Sequence, residues 1–141
     1  MPNDSGVSLV KAAAVGAMLA GAANSLLYLI YYMIGIIPWN MLSPGQNVPI
    51  TPRLVLAVSI GGALGGALLY AIIRRIAVHP ARTFKLVAGV ILILSFAAPL
   101  TIETFTPGLM LALALMHVVV FASTLWALTV WAERGSFKAS A

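Results

Sequence analysis

Four stretches of the chain run almost without charge, and short polar or proline-bearing breaks separate them. A hydrocarbon core of about 30 Å is crossed by ~20 apolar helical residues at about 1.5 Å each. The stretches at about 12–37, 52–73, 80–98 and 107–132 approach or exceed that length. The expected fold is an all-α integral membrane protein, a four-transmembrane-helix bundle forming one domain over residues 1–141.

The breaks have local causes. Thr51-Pro52 and Thr106-Pro107 each place a hydroxyl N-cap before a proline at the first helical position, where the missing N–H costs nothing. His79-Pro80 starts the third helix in the same way, and Pro38 and Pro99 follow helix ends because proline cannot continue the ladder. The loop at 38–51 holds Pro44-Gly45-Gln46-Asn47 and Pro49, all turn-forming types. The third stretch is the shortest, and Arg82 and Lys85 have to snorkel from its first turns.

Composition strengthens the membrane reading. The chain is 62% hydrophobic and 8% charged, with mean hydropathy +1.06. A soluble domain carries about a quarter charged residues, so lipid has to cover much of this surface. The net charge of +5 does not point to nucleic acid, because the charges sit between apolar runs rather than over a solvated face. With 0 cysteines, disulfides, thiolate catalysis and Cys-ligated metals are excluded.

Charge also orients the bundle. With four spans, Lys11, Arg74, Arg75, Arg82, Lys85, Arg134 and Lys138 fall on one side, and Arg53 falls on the other with Glu103. The positive-inside rule makes the first side cytoplasmic, with both termini there and the protein in the inner membrane. Trp39, Trp126 and Trp131 fall near the expected interfaces, and Tyr28, Tyr31 and Tyr32 form an aromatic patch read as an interface anchor. Lys11 and the small-residue run after it resemble a signal peptide, but the apolar run continues past Leu26, so the segment reads as a retained helix. Thr51-Pro52-Arg53-Leu54 and Thr106-Pro107-Gly108-Leu109 are a faint echo between the two halves.

Three constellations stand out. Gly61, Gly62, Gly65 and Gly66 form small-xxx-small pairs that let helix backbones approach closely. They are expected to pack helix two on the stripe Ala13, Ala17 and Gly21 of helix one, with Ala67 off that face; a homodimer seam is the sharper alternative. Asn24 and His117 sit at similar depth in helices one and four, which predicts a buried polar layer in which the two hydrogen-bond each other. Ser59, Ser95, Thr101 and Glu103 are candidates for an outer polar vestibule. The basic cluster Arg74, Arg75, Arg82 and Lys85 suits anionic headgroups, although topology alone accounts for it.

The acids are Asp4, Glu103 and Glu133, so no paired-carboxylate site, no Ser-His-Asp arrangement at membrane depth and no metal site is expected. Small multidrug exporters require a Glu in their first helix, which is absent, and the two signatures of fluoride channels, an Asn with a downstream Gly-Ser in one helix and a Thr-Thr-Phe-Ser run in another, are absent too. Asn24, the glycine-rich second helix ending in Arg74-Arg75, Pro80-x-Arg82-Thr83-Phe84, Ser95 before Pro99, and Met116-His117 resemble an uncharacterised family of small bacterial four-helix membrane proteins, a domain of unknown function. That resemblance implies fold and location and no activity. The expected role is a non-enzymatic accessory or structural membrane component with no cofactor, partnered by the bilayer and by a second copy or a larger complex. The alternatives are a small oligomeric transporter or channel through the Asn24 and His117 layer, and a pigment- or quinone-binding subunit using His117.

Overall fold

The computed structural model describes residues 4–38, 41–42, 48–97 and 106–131. Among these residues the fold is all-helical: α1 (Asp4–Met33), α2 (Pro52–Ile76), α3 (Pro80–Ser95) and α4 (Pro107–Trp126), which runs on as a π-helical turn over Ala127–Trp131. Leu9–Met33, Pro52–Ile76 and Pro107–Thr129 are long and apolar enough to cross a membrane by length and composition. α3 has 16 residues, which span only about 24 Å at the helical rise.

The local sequence sets most of these boundaries. Thr51 and Thr106 are extended N-caps whose side-chain oxygens accept from the Leu54 and Leu109 N–H groups at 3.2 and 3.1 Å. The two halves therefore start their second helices with the same device. His79 precedes α3 but makes no side-chain cap bond. α2 runs past the expected end at 73 to Ile76, placing Arg74 and Arg75 in its last turn, where cations meet the negative end of the helix dipole.

The ends of the first and third helices differ from expectation. α1 begins at Asp4 and stops at Met33 rather than spanning 12–37. Gly35 is the cause: it takes the left-handed φ of +75°, a conformation that glycine adopts without Cβ strain. The Ile36 N–H then bonds the Tyr31 carbonyl at 2.9 Å and the Gly35 N–H bonds the Tyr32 carbonyl at 3.1 Å, the two bonds of a Schellman cap. The chain turns back there and buries Ile37. α3 ends at Ser95, because the Phe96 and Ala97 N–H groups take short bonds to Ile93 and Leu94 carbonyls that tighten the last turn. The expected ends at 98 and 132, together with Trp39, Thr101, Glu103, Glu133, Arg134 and Lys138, lie outside the described residues.

The core is layered along the bundle. At the Arg74 end, Ala12, Ala67, Tyr70, Ile73, Phe84 and Leu128 cluster. In the middle, Ala17, Ala20 and Ala63 let α1 and α2 come close, with Ile60 and Val120 beside them. At the opposite end, Tyr28, Ile37, Met41, Leu109 and Met116 cluster. Tyr28 is therefore not an interface anchor. It is buried, and its hydroxyl donates to the Ile50 carbonyl at 2.7 Å, tying α1 to the segment before α2.

The glycine cluster of α2 does not meet α1. The α2 residues buried on one face are Ser59, Ala63, Ala67, Tyr70 and Ile73, so Ala67 does lie off the Gly61–Gly65 face, but its own face is the buried one. A Cβ at Gly61 or Gly65 would meet nothing within 4 Å. Gly62 and Gly66 face α4 instead: a Cβ would lie 3.3 Å from Val120 Cγ1 at the first and 2.8 Å from Thr124 Cγ2 at the second. The reason is helical phase, since at about 100° per residue positions 59, 63 and 67 turn a different side from 61 and 65. On α1, Gly21 packs on α2, where a Cβ would lie 2.8 Å from Leu56 Cδ1, and Gly16 packs on the α4 extension, where it would lie 3.1 Å from Ala127 Cβ.

Candidate functional site

Asn24 is the centre of a polar knot between three helices. It is buried. Its amide nitrogen donates to Ser59 Oγ on α2 at 2.9 Å and to the Met116 carbonyl on α4 at 3.0 Å. A carbonyl can only accept, so the amide NH₂ has to face Met116 and the amide orientation is determined. Both amide hydrogens are used, and Asn24 Oδ1 is left without a partner among the described residues. Thr124 Oγ1 and Ser25 Oγ are also buried without partners among those residues.

His117 is placed beside this knot but is not joined to it. Its Nδ1 lies 2.7 Å from the Leu113 carbonyl one turn back on its own helix. The expected Asn24–His117 hydrogen bond is not made, because the neighbouring residue's carbonyl, that of Met116, takes the Asn24 amide. Since a carbonyl accepts, Nδ1 carries the hydrogen, and in the neutral ring Nε2 then carries the lone pair. The Phe96 ring meets the imidazole edge-on, centroids 6.3 Å apart at 74°.

Asn24 and His117 do share one wall. A cavity of about 570 Å³ lies between α2, α3 and α4, with Asn24 of α1 at its back. Its polar lining consists of Asn24, Ser59, Ser95, His117 and Thr124; the remainder is glycine and apolar side chains such as Leu69, Ile91, Leu113 and Phe121. The cavity exists because α3 is held at its two ends. Near the Arg74 end Phe84 packs on Tyr70, centroids 5.0 Å apart, and at the other end Phe96 meets His117. Those two contacts are about 18 Å apart at the helical rise. Between them α3 presents Ala88, and α2 presents Gly62, Gly65 and Gly66, which have no side chains to fill the gap. The α2 glycines thus leave volume inside the bundle rather than closing a seam with α1. The cavity reaches the surface where Val58, Gly65 and Ile91 are exposed.

The expected outer vestibule is not assembled as a unit. Ser59 is part of the Asn24 knot. Ser95 donates to the Leu92 carbonyl at 2.7 Å and lines the same cavity, while Thr101 and Glu103 lie outside the described residues. The Asn24–Ser59 link had a readable signal. Ser59 is seven residues into α2 and Asn24 nine residues before the end of α1, about 11 and 14 Å from the same end of the bundle. The basic cluster at the α2–α3 junction, Arg74, Arg75, Arg82 and Lys85, is exposed, with the Arg74 guanidinium 5.9 Å from the Tyr70 ring centroid. No group of three or more His, Asp or Glu that would hold a metal occurs among the described residues.

A family model described as a family of unknown function (DUF6069) matches residues 5–134. No curated protein and no solved structure matches the chain.

Proposed function

The chain belongs to this family of unknown function, and on that footing we propose that it is a multi-pass protein of the cytoplasmic membrane. In this reading it crosses four times, keeps both termini inside, and serves as a non-enzymatic accessory component that works through binding. One observation carries the reading. The three long helices have mean hydropathies of 1.7 to 2.1, yet only 33%, 28% and 22% of their apolar windows are buried within the chain. Such surfaces need lipid or other transmembrane helices around them. The opposing interpretation, a polar path through Asn24 and His117, has weaker support. The Asn24 amide is spent on holding α1, α2 and α4 together, and the wall around it is apolar. A bilayer-embedded α3 also suits the reading, since Arg82 and Lys85 are exposed at its first turns and reach toward headgroups.

The chain lacks cysteine, so single cysteines test the topology directly. Val48, between α1 and α2, and Val78, between α2 and α3, are both exposed. In intact cells Val48→Cys is expected to react with a membrane-impermeant maleimide, and Val78→Cys only after permeabilisation. Reaction of Val78→Cys in intact cells would overturn the proposed orientation.

A further inference from the structure

We propose that the cavity between α2, α3 and α4 is a binding site for a neutral lipophile bearing a hydroxyl group, a phenol or alcohol with an apolar body. The volume of about 570 Å³ lies within the roughly 300–1,000 Å³ of small-molecule sites. The lining contains no Lys, Arg, Asp or Glu, and a charged ligand there would be desolvated without a counter-charge. The occupant is therefore neutral.

The polar wall specifies the head group. Acceptors predominate on it. His117 Nδ1 is committed to the Leu113 carbonyl, so in the neutral ring Nε2 presents its lone pair. Ser95 has its hydrogen committed to the Leu92 carbonyl and offers only oxygen lone pairs. Ser59 Oγ accepts from Asn24 and retains its own hydrogen to donate. A hydroxyl matches that set because it donates to His117 Nε2 and accepts from a serine, which a ketone or an ether cannot do. The body of the ligand lies along Leu69, Ile91 and Phe121, and the glycines of α2 set the width of its slot. The opening between Val58, Gly65 and Ile91 is on the flank of the bundle, so a membrane-dissolved molecule enters sideways from lipid. This proposal goes beyond the accessory reading and does not depend on which side the termini face.

Two positions on α2 make the test clean. Gly65 lines the cavity, and a Cβ there meets nothing within 4 Å, so a side chain can start from this position into the slot, and Gly65→Leu is chosen to fill it. Gly61 is equally open but does not line the cavity, so Gly61→Leu is the matched control. The detergent-purified protein is titrated with 4-phenylphenol and with its methyl ether, 4-methoxybiphenyl, by calorimetry. Binding of the phenol about tenfold tighter than the ether is expected, the worth of one well-made hydrogen bond. His117→Leu is expected to bring the phenol down to the level of the ether, and Gly65→Leu to abolish binding of both, while Gly61→Leu leaves both unchanged. If His117→Leu does not fold, the Gly65 and Gly61 pair and the phenol-to-ether ratio of the wild type still decide the matter. Equal affinities for phenol and ether, or phenol binding that survives Gly65→Leu, would overturn the proposal. So would native mass spectra in which wild type retains one phospholipid that 4-phenylphenol does not displace and Gly65→Leu loses, because the cavity would then hold an acyl chain.

Discussion

Adding one methyl group at neighbouring α2 glycines is expected to have opposite effects. At Gly61 a Cβ would meet nothing within 4 Å, whereas at Gly66 it would sit 2.8 Å from Thr124 Cγ2. Replacing a helix-interior glycine by alanine gains up to about 1 kcal/mol from chain entropy. Gly61→Ala is thus expected to stabilise by roughly 0.5–1 kcal/mol. At Gly66 the same gain is opposed by overlap, since carbon atoms prefer about 3.5–4.0 Å. Thr124 is buried, and a β-branched side chain in a helix is stiff at χ1, so α2 and α4 have to separate. Overpacking of this kind costs about 1–3 kcal/mol. The expected order is Gly61→Ala at least as stable as wild type and Gly66→Ala less stable, with a gap of about 1–3 kcal/mol. Unfolding in mixed micelles, followed by the fluorescence of the 3 tryptophans, measures it. Thr124→Ser removes the offending methyl and keeps the hydroxyl, so adding it to Gly66→Ala is expected to restore most of the loss. A Gly66→Ala protein as stable as Gly61→Ala, or a double variant showing no coupling, would refute the α2–α4 contact.

Substitutions at two further positions probe one end and the centre of the bundle. Gly35→Ala forces a Cβ into the φ of +75° and is expected to cost about 1 kcal/mol, with loss of protection of the buried Ile37 in hydrogen exchange as the specific readout. Asn24→Leu is expected to cost no more than about 1–2 kcal/mol, because interhelical polar contacts in membranes are each worth about 0.6 kcal/mol on average. Asn24→Asp is expected to be worse than Asn24→Leu, since it exchanges a two-hydrogen donor for an acceptor facing the Met116 carbonyl. The same unfolding titration ranks the two variants, and an Asn24→Asp protein as stable as wild type would remove the knot from the account.

The local features of this chain were legible without coordinates. Thr51-Pro52 and Thr106-Pro107 cap their helices as their chemistry requires, the apolar runs are helices, and the basic pair closes α2. Gly35 was legible in principle as a glycine cap three residues before Pro38, but an unbroken apolar run concealed it. Each of these depends on residues within a turn or two of one another, where backbone geometry and side-chain hydrogen bonding decide. The rotation of each helix about its axis is a different matter. α1 and α4 are apolar on nearly every side, so their sequences carry little periodic signal saying which face turns inward. Only tertiary packing chose Ser59, Ala63 and Ala67 over Gly61 and Gly65 as the inner face of α2, and paired Asn24 with Ser59 and Met116 rather than with His117. The cavity is likewise a tertiary product, because it arises from aromatic contacts at both ends of α3 and missing side chains on α2, an arrangement that no single helix encodes.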